Sequence, residues 1–265
     1  MFPVIFRIGS YFQSSYGVVI VLAVLAGLWM AVRSGRKAGL DGEAVLNLGI
    51  YAALSALAGA KLLMVLADLD FYLRNPGEIL SLNTFRAAGV FFGGLISALA
   101  VAYFYVRRKR LSFLAVADVF APAIALGHAI GRVGCFLAGC CWGQPADLPW
   151  AVTFTNPLTN ELFGTPLGVP LHPTQLYEAA GEAVIFAILY RRFHRPHRPG
   201  QVIGLYLVLY PALRFLVEFV RAHLEANPYL GPLLAEQWLA LALLAGGVWL
   251  LRHRLPAATA PPTSR

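Results

Sequence analysis

The sequence predicts an all-α polytopic membrane protein of about seven transmembrane helices, with the amino terminus outside, the carboxy terminus inside and a small extracytoplasmic cap. Three observations carry this. Of 265 residues, 58% are hydrophobic and 13% charged, with a mean hydropathy of +0.66. That balance leaves too little polar surface to cover a soluble domain. The apolar residues gather into runs long enough to cross a bilayer, and the basic residues stand in short clusters behind alternate runs.

The runs lie at roughly 14–32, 44–67, 87–106, 112–138, 173–190, 201–220 and 234–251. The first, Tyr16 to Val32, ends in Arg33, Arg36 and Lys37, which reads as a retained helix with a stop-transfer flank. The fourth is long, and its glycines invite a break. The fourth and fifth spans are joined by Gln144 to Leu171, rich in Pro, Gly, Asn and Thr. Irregular backbone is tolerated there if the loop lies outside hydrocarbon, so residues 144–171 are expected to form the cap. Within it Trp150 to Phe154 alternates like a short strand. A single transmembrane domain is expected over 1–255, followed by a disordered Pro-rich cytoplasmic tail over 256–265.

Orientation follows from Lys and Arg. Arg33, Arg36 and Lys37 follow the first span, and Arg107, Arg108, Lys109 and Arg110 the third. Arg191, Arg192, Arg195 and Arg198 follow the fifth, and Arg252, Arg254 and Arg265 the seventh. These are fourteen of the 21 basic residues, while the opposite side holds only Arg7, Arg74, Arg86 and Arg221. The positive-inside rule puts the clusters in the cytoplasm. The net charge of +8 therefore has a topological explanation. No basic face with aromatic or motif support points to nucleic acid.

Lys61, Arg132, Arg214 and Glu218 remain inside the spans. A charge in hydrocarbon costs roughly 2.5 kcal/mol or more, so each is a functional candidate. The plainer alternatives are snorkelling or an ion pair that only joins helices. On the sixth span Tyr210, Arg214, Glu218 and Arg221 recur at helical spacing and form one polar stripe. On the fourth, His128, Arg132, Cys135 and Gly139 share an arc of about 60°. Gly127 and Gly131 there let another helix approach. The later glycines suggest a helix end whose freed N–H groups suit an anion. At the same level Tyr16-Gly17 opens the first span, Gly89-Val-Phe-Phe92-Gly-Gly94 the third and His172-Pro-Thr-Gln-Leu-Tyr-Glu178 the fifth. Capping is the plain role for His172 and Glu178. Two arginines at a lipid–water boundary suggest a phosphate ligand, because guanidinium forks match phosphate oxygens. A phospholipid headgroup is the phosphate at that depth.

Gly131-Arg-x-Gly-x-Phe-x-x-Gly139-x-x-Trp142-Gly143 resembles the signature of the prolipoprotein diacylglyceryl transferase family. So do His172-Pro-Thr-Gln-Leu-Tyr-Glu178 and Tyr210-x-x-x-Arg214-x-x-x-Glu218. Their order, spacing and seven-span layout agree over nearly the whole chain. The resemblance implies a multi-pass enzyme of the bacterial cytoplasmic (inner) membrane, with its site toward the outer face. Its partners would be phosphatidylglycerol, prolipoprotein signal peptides and membrane lipid. It would move a diacylglyceryl group from phosphatidylglycerol to the lipobox cysteine thiol and release glycerol phosphate. Arg132 matches the signature arginine and Arg214 a second essential one; Tyr16, Tyr210, Glu218 and Gly143 also fall on positions the family uses. The expected catalytic set is Arg132, Arg214, Glu218, Tyr210 and His128. The headgroup set is Arg132, Arg214, Tyr16, Gly131, Gly134 and Gly143. Cys135, Cys140, His172, Glu178 and Lys61 are expected to support them.

The chain also departs from the family. Many members carry Asn in place of Cys135, an acidic residue in place of Cys140 and His in place of Phe92. His128, one turn before Arg132, is then the candidate base. The three cysteines cannot all pair within one chain. A Cys135–Cys140 disulfide, zinc held with His128, and thiols without a catalytic role are the alternatives. CxxxxCC is not a usual zinc spacing, so no metal is assigned, and no motif implies a cofactor. The rival functions are a paralogue with the same lipid site but another acceptor or thiol redox chemistry, and a transporter or lipid-binding protein with Arg214–Glu218 as a gate.

Overall fold

The computed structural model describes residues 2–8, 11–81, 84, 89–222, 229–230 and 233–253. The expected tail over 256–265, Arg86 and Arg254 lie outside the described residues. Seven long helices fall on the seven expected apolar runs. They are α1 (Ser15–Lys37), α2 (Gly42–Ala67), α4 (Phe91–Arg108), α5 (Phe113–Ala138), α7 (Thr174–Phe193), α8 (Gln201–Glu218) and α9 (Ala235–Arg252). Shorter helices are α3 (Leu69–Arg74) and α6 (Pro157–Phe163). Four of them, α1, α2, α5 and α8, are long and apolar enough to cross a membrane by length and composition alone. The chain is thus a largely helical protein of membrane type.

Two compact units are present, residues 31–116 and residues 1–30 with 117–265. In the first, α2 begins at Asp41, whose carboxylate accepts from the N–H groups of Glu43 at 3.1 Å and Ala44 at 3.2 Å, satisfying two orphan donors of the first turn. α2 packs on α4 through glycines. A Cβ on Gly94 would stand 2.9 Å from the Ala56 carbonyl oxygen, so the two backbones approach as only small residues allow. Lys61 belongs to this unit, where its Nζ donates to the Thr84 carbonyl at 2.7 Å. Phe92 is exposed on α4.

In the second unit a hairpin of β1 (Val4–Ile8) and β2 (Tyr11–Ser14) precedes α1. The expected close approach is found at Gly127 but not at Gly131, where a Cβ would make only ordinary contact, 3.5 Å from Ile20 Cδ1. A Cβ on Gly127 would lie 3.3 Å from the Ala23 carbonyl oxygen, and one on Gly134 would lie 3.1 Å from Val19 Cβ. α1 therefore runs along the glycine face of α5, which Gly127 and Gly134 share one heptad apart. α5 is not broken by its glycines; it continues to Ala138 and ends at Gly139, which has φ +86°.

The loop after α5 contains the expected strand, shortened to β3 (Val152–Thr153), paired antiparallel with β4 (Pro170–Leu171). It also holds α6, which begins with Asn156 accepting from Leu158 N–H at 3.0 Å and ends at the left-handed Gly164. Trp142, Phe154 and Leu171 form a buried cluster beneath it. α8 starts at a buried carboxylate. Asp118 of α5 accepts from the N–H groups of Gly200 at 2.8 Å, Val202 at 2.9 Å and Ile203 at 2.8 Å, which satisfies donors at the start of that helix and complements its dipole.

Candidate active site

Three arginines converge on one buried glutamate. Glu178 of α7, 1% exposed, receives Arg132 Nη2 at 2.5 Å, Arg214 Nη1 at 3.5 Å and Arg221 Nη1 at 3.4 Å. Arg214 Nη2 also meets Glu218 Oε2 at 2.5 Å, one helical turn on. Three guanidiniums thus face two carboxylates, an excess of one positive charge. Unpaired buried charge is costly, and an anion is the chemistry that would balance these three guanidiniums against Glu178 and Glu218. Arg132 Nε is buried without a hydrogen-bond partner among the described residues, an orphan donor of the kind that a ligand oxygen satisfies.

One helical turn away in the same unit, His128 Nδ1 lies 2.7 Å from Glu182 Oε1, and Glu182 is fully buried. The imidazole packs on Tyr210 with ring centroids 5.0 Å apart, and Tyr210 stacks on Tyr206 at 5.6 Å. A carboxylate on Nδ1 fixes the ring and leaves Nε2 as the acceptor. Tyr16 is 38% exposed at the start of α1. A Cβ on Gly134 would lie 3.6 Å from its ring.

Gly143 sits where three strands of backbone meet. Its N–H donates to the His172 carbonyl at 3.0 Å, Gln144 N–H to Val220 at 2.8 Å and Ala222 N–H to Trp142 at 3.2 Å. A Cβ on Gly143 would stand 2.5 Å from His172 Cβ and 2.7 Å from the carbonyl oxygens of His172 and Val220. Only glycine fits, and the pairing of Gly143 with Arg221 as a β-bridge fixes where Arg221 enters the site.

The structure corrects several expectations. Glu178 is not a cap but the hub of the arginine cluster, and the His172 side chain makes no capping bond among the described residues: its Nδ1 faces the Tyr177 hydroxyl at 3.3 Å. The stripe on the sixth span does not reach Arg221 as a helix, because α8 ends at Glu218. The turn after α5 offers no freed anion site at Gly139, Cys140, Gly143 or Gln144, whose N–H groups all bond to backbone carbonyls. The sequence reading missed Glu182, although Glu178 and Glu182 stand four apart on one helix, as a shared face requires.

Cys135, Cys140 and Cys141 are free thiols. The latter two lie beyond the end of α5. Hydrogen bonds with Cys135 and Cys140, aided by the Arg221 and Arg132 guanidiniums, hold the Cys141 thiol well below its ordinary pKa. Cys140, hydrogen-bonded to Cys135 and Cys141, is pushed up.

Fold and site together define a helical membrane protein with a positively charged arginine–glutamate cluster buried among apolar helices. The chain belongs to the prolipoprotein diacylglyceryl transferase family, whose model matches residues 3–253. It is 36% identical over 235 residues to the phosphatidylglycerol–prolipoprotein diacylglyceryl transferase of Finegoldia magna, covering 88% of each chain. The Clostridium tetani enzyme of that name is 32% identical over 251 residues, 94% of this chain and 96% of the relative. That of Bordetella parapertussis is 37% identical over 266 residues, 96% and 97%.

Proposed function

We propose that this chain transfers the diacylglyceryl group of phosphatidylglycerol to the lipobox cysteine thiol of a prolipoprotein and releases glycerol phosphate, the first step of lipoprotein maturation. The observation that carries the reading is the cluster of Arg132, Arg214 and Arg221 on Glu178 and Glu218, with its excess positive charge. A phosphodiester brings the missing negative charge. As the carbon–oxygen bond to phosphate breaks, the leaving glycerol phosphate gains a second negative charge. Arginines already held in place stabilise that charge without reorganising. The acceptor thiol must reach the thiolate form to attack carbon, and His128, oriented by Glu182, takes its proton. Tyr210 packs on that imidazole, and Tyr16 and Gly134 line the side on which the headgroup lies.

In this reading all seven long helices cross the bacterial cytoplasmic membrane, with the amino terminus outside. Residues 144–171 cap the site at the outer face, where the signal peptide of the prolipoprotein arrives. A single transmembrane domain, 1–255, contains all of this. An alkaline-phosphatase fusion at residue 195 is expected to be inactive; an active one overturns the topology. For the activity, the test is label transfer from phosphatidylglycerol to a lipobox peptide by the purified protein. Transfer is expected, and its loss in Arg132→Ala and Arg214→Ala. Absence of transfer by the folded wild-type chain overturns the reading. The cysteines at 135 and 140 motivate a second reading, the same lipid site with another thiol acceptor. It predicts phosphatidylglycerol turnover that no lipobox peptide stimulates.

A further inference from the structure

The way α5 ends gathers all three cysteines. Cys140 N–H donates to the Cys135 carbonyl and Gly139 N–H to that of Phe136, both at 3.2 Å. This pair of reversed bonds is the Schellman turn, with Gly139 as its left-handed residue. In that turn the residue after the glycine folds back over the last helical turn, which sets Cys140 on Cys135. Cys141 then takes φ +59°, a conformation uncommon for a residue with a Cβ and one that points to function when the surroundings enforce it. They do. Thr174 Oγ1 donates to the Cys141 carbonyl at 2.7 Å and Gln175 Nε2 to that of Cys140 at 2.6 Å. The His-Pro-Thr-Gln segment thus clamps the cysteine turn. The three sulfurs lie within 4.8 Å of one another, a tripod rather than a pair.

We propose that Cys135, Cys140 and Cys141 form a three-thiolate site for Zn2+ whose fourth position takes the thiol of the acceptor cysteine; this rests on the transferase reading above. Tetrahedral zinc with bonds of about 2.3 Å puts its sulfurs about 3.8 Å apart, a small contraction of the cluster. Three protein ligands with one open position is the pattern of a catalytic rather than a structural zinc. Three thiolates on Zn2+ carry one net negative charge, and it lies in the fields of Arg132 and Arg221, which reach Cys141. The two carbonyl clamps act as the outer shell that holds the ligands in place.

The chemistry closes. A thiol bound to zinc is deprotonated, and in this reading its proton goes to His128. The sulfur lone pair then attacks the diacylglyceryl carbon. The carbon–oxygen bond breaks, its electron pair stays on the phosphate oxygen, and glycerol phosphate departs. The thioether formed is neutral, a weaker ligand, and leaves the metal.

The test uses the full chain, purified without chelator from zinc-supplemented cells. Elemental analysis is expected to find about one zinc per chain, falling below about a tenth in Cys140→Ser/Cys141→Ser. Because that variant can fail to fold, a second measurement uses the wild type exchanged with Co2+. Its sulfur-to-metal absorption is expected to match three thiolates and to rise by about a third when a lipobox peptide with Cys, not Ser, is added. Zinc below about a tenth per chain with three reactive thiols, a Cys135–Cys140 disulfide, or a cobalt spectrum blind to the peptide overturns the proposal. Metal-free protein that transfers at the full rate also overturns it, while leaving the transferase reading standing. Protein that binds zinc and peptide but never consumes phosphatidylglycerol instead overturns the transferase reading.

Discussion

Arg132 Nη2 stands 2.5 Å from Oε2 of Glu178, tying the signature helix α5 to α7 at a residue only 1% exposed. The same carboxylate holds Arg214 and Arg221, so one side chain sets the spacing of three guanidiniums. Glu178→Gln is expected to leave three buried positive charges facing one carboxylate. Breaking a buried pair in this way costs about 3–5 kcal/mol. A lower melting temperature in detergent and at least a tenfold loss of transfer are the expected readouts. The exposed Glu161→Gln is the control and should change neither. A Glu178→Gln protein with wild-type stability and rate would remove the hub role.

His128 and Glu182 make a separate prediction. If His128 takes the thiol proton, His128→Gln lowers kcat about a hundredfold or more with little change in KM. Glu182→Gln, which loses only the partner at 2.7 Å, should cost less. Full transfer by His128→Gln would remove the imidazole from the reaction.

How much of this was legible in the sequence differs from residue to residue. The seven helices were, because a segment in hydrocarbon must be apolar whatever its neighbours. Arg132 and Arg214 were, because charge stands out in such a segment. Glu182 and the hub role of Glu178 were not. Their partners come from other helices, and a carboxylate near the start of a helix reads equally well as a cap. The end of α8 at Glu218 was hidden because Val220 and Arg221 continue the helical spacing while their backbone pairs with Gln144 and Gly143. The helix α6 carried a readable signal, Asn156 before Pro157, the cap and first-turn residues of a short helix.

Asp118 was equally hidden, since a cap for α8 supplied by α5 leaves no local pattern. It is 1% exposed and accepts from three backbone N–H groups. Hydrogen bonds to a charged group contribute about 1.5–3 kcal/mol, so Asp118→Ala should unfold at lower temperature. Phosphatidylglycerol affinity in the folded fraction should stay unchanged, because Asp118 caps the opposite end of α8 from Glu218. An equal loss of affinity and stability would contradict that division.

Gly143 and Gly246 form a matched pair. A Cβ on Gly143 meets His172 at 2.5 Å and two backbone carbonyls at 2.7 Å, whereas one on Gly246 meets nothing within 4 Å. Overpacking against backbone costs about 1–3 kcal/mol. Gly143→Ala is therefore expected to destabilise the chain and, by displacing Arg221, to slow transfer at least tenfold. Gly246→Ala lies inside α9, where the change from glycine favours the helix by about 0.5–1 kcal/mol, so its melting temperature should hold or rise.

The cysteine turn predicts a pH signature in chelator-treated protein. An ordinary thiol, with a pKa of about 8.5, loses about a hundredfold in thiolate between about pH 8 and pH 6. The Cys141 thiol is held below its ordinary value by hydrogen bonds from Cys135 and Cys140 and by Arg221 and Arg132. A lowered pKa keeps the thiolate present as pH falls, so alkylation of Cys141 by iodoacetamide should stay nearly flat across that window. Cys140, pushed up by its bonds to Cys135 and Cys141, should react slowly throughout. Arg221→Ala should return part of the ordinary pH dependence to Cys141, because it removes one of the charges that favour the thiolate. Mass spectrometry of the peptides after timed alkylation reads the sites separately. Three thiols that all follow the ordinary titration would show that the turn does not favour one thiolate over its neighbours.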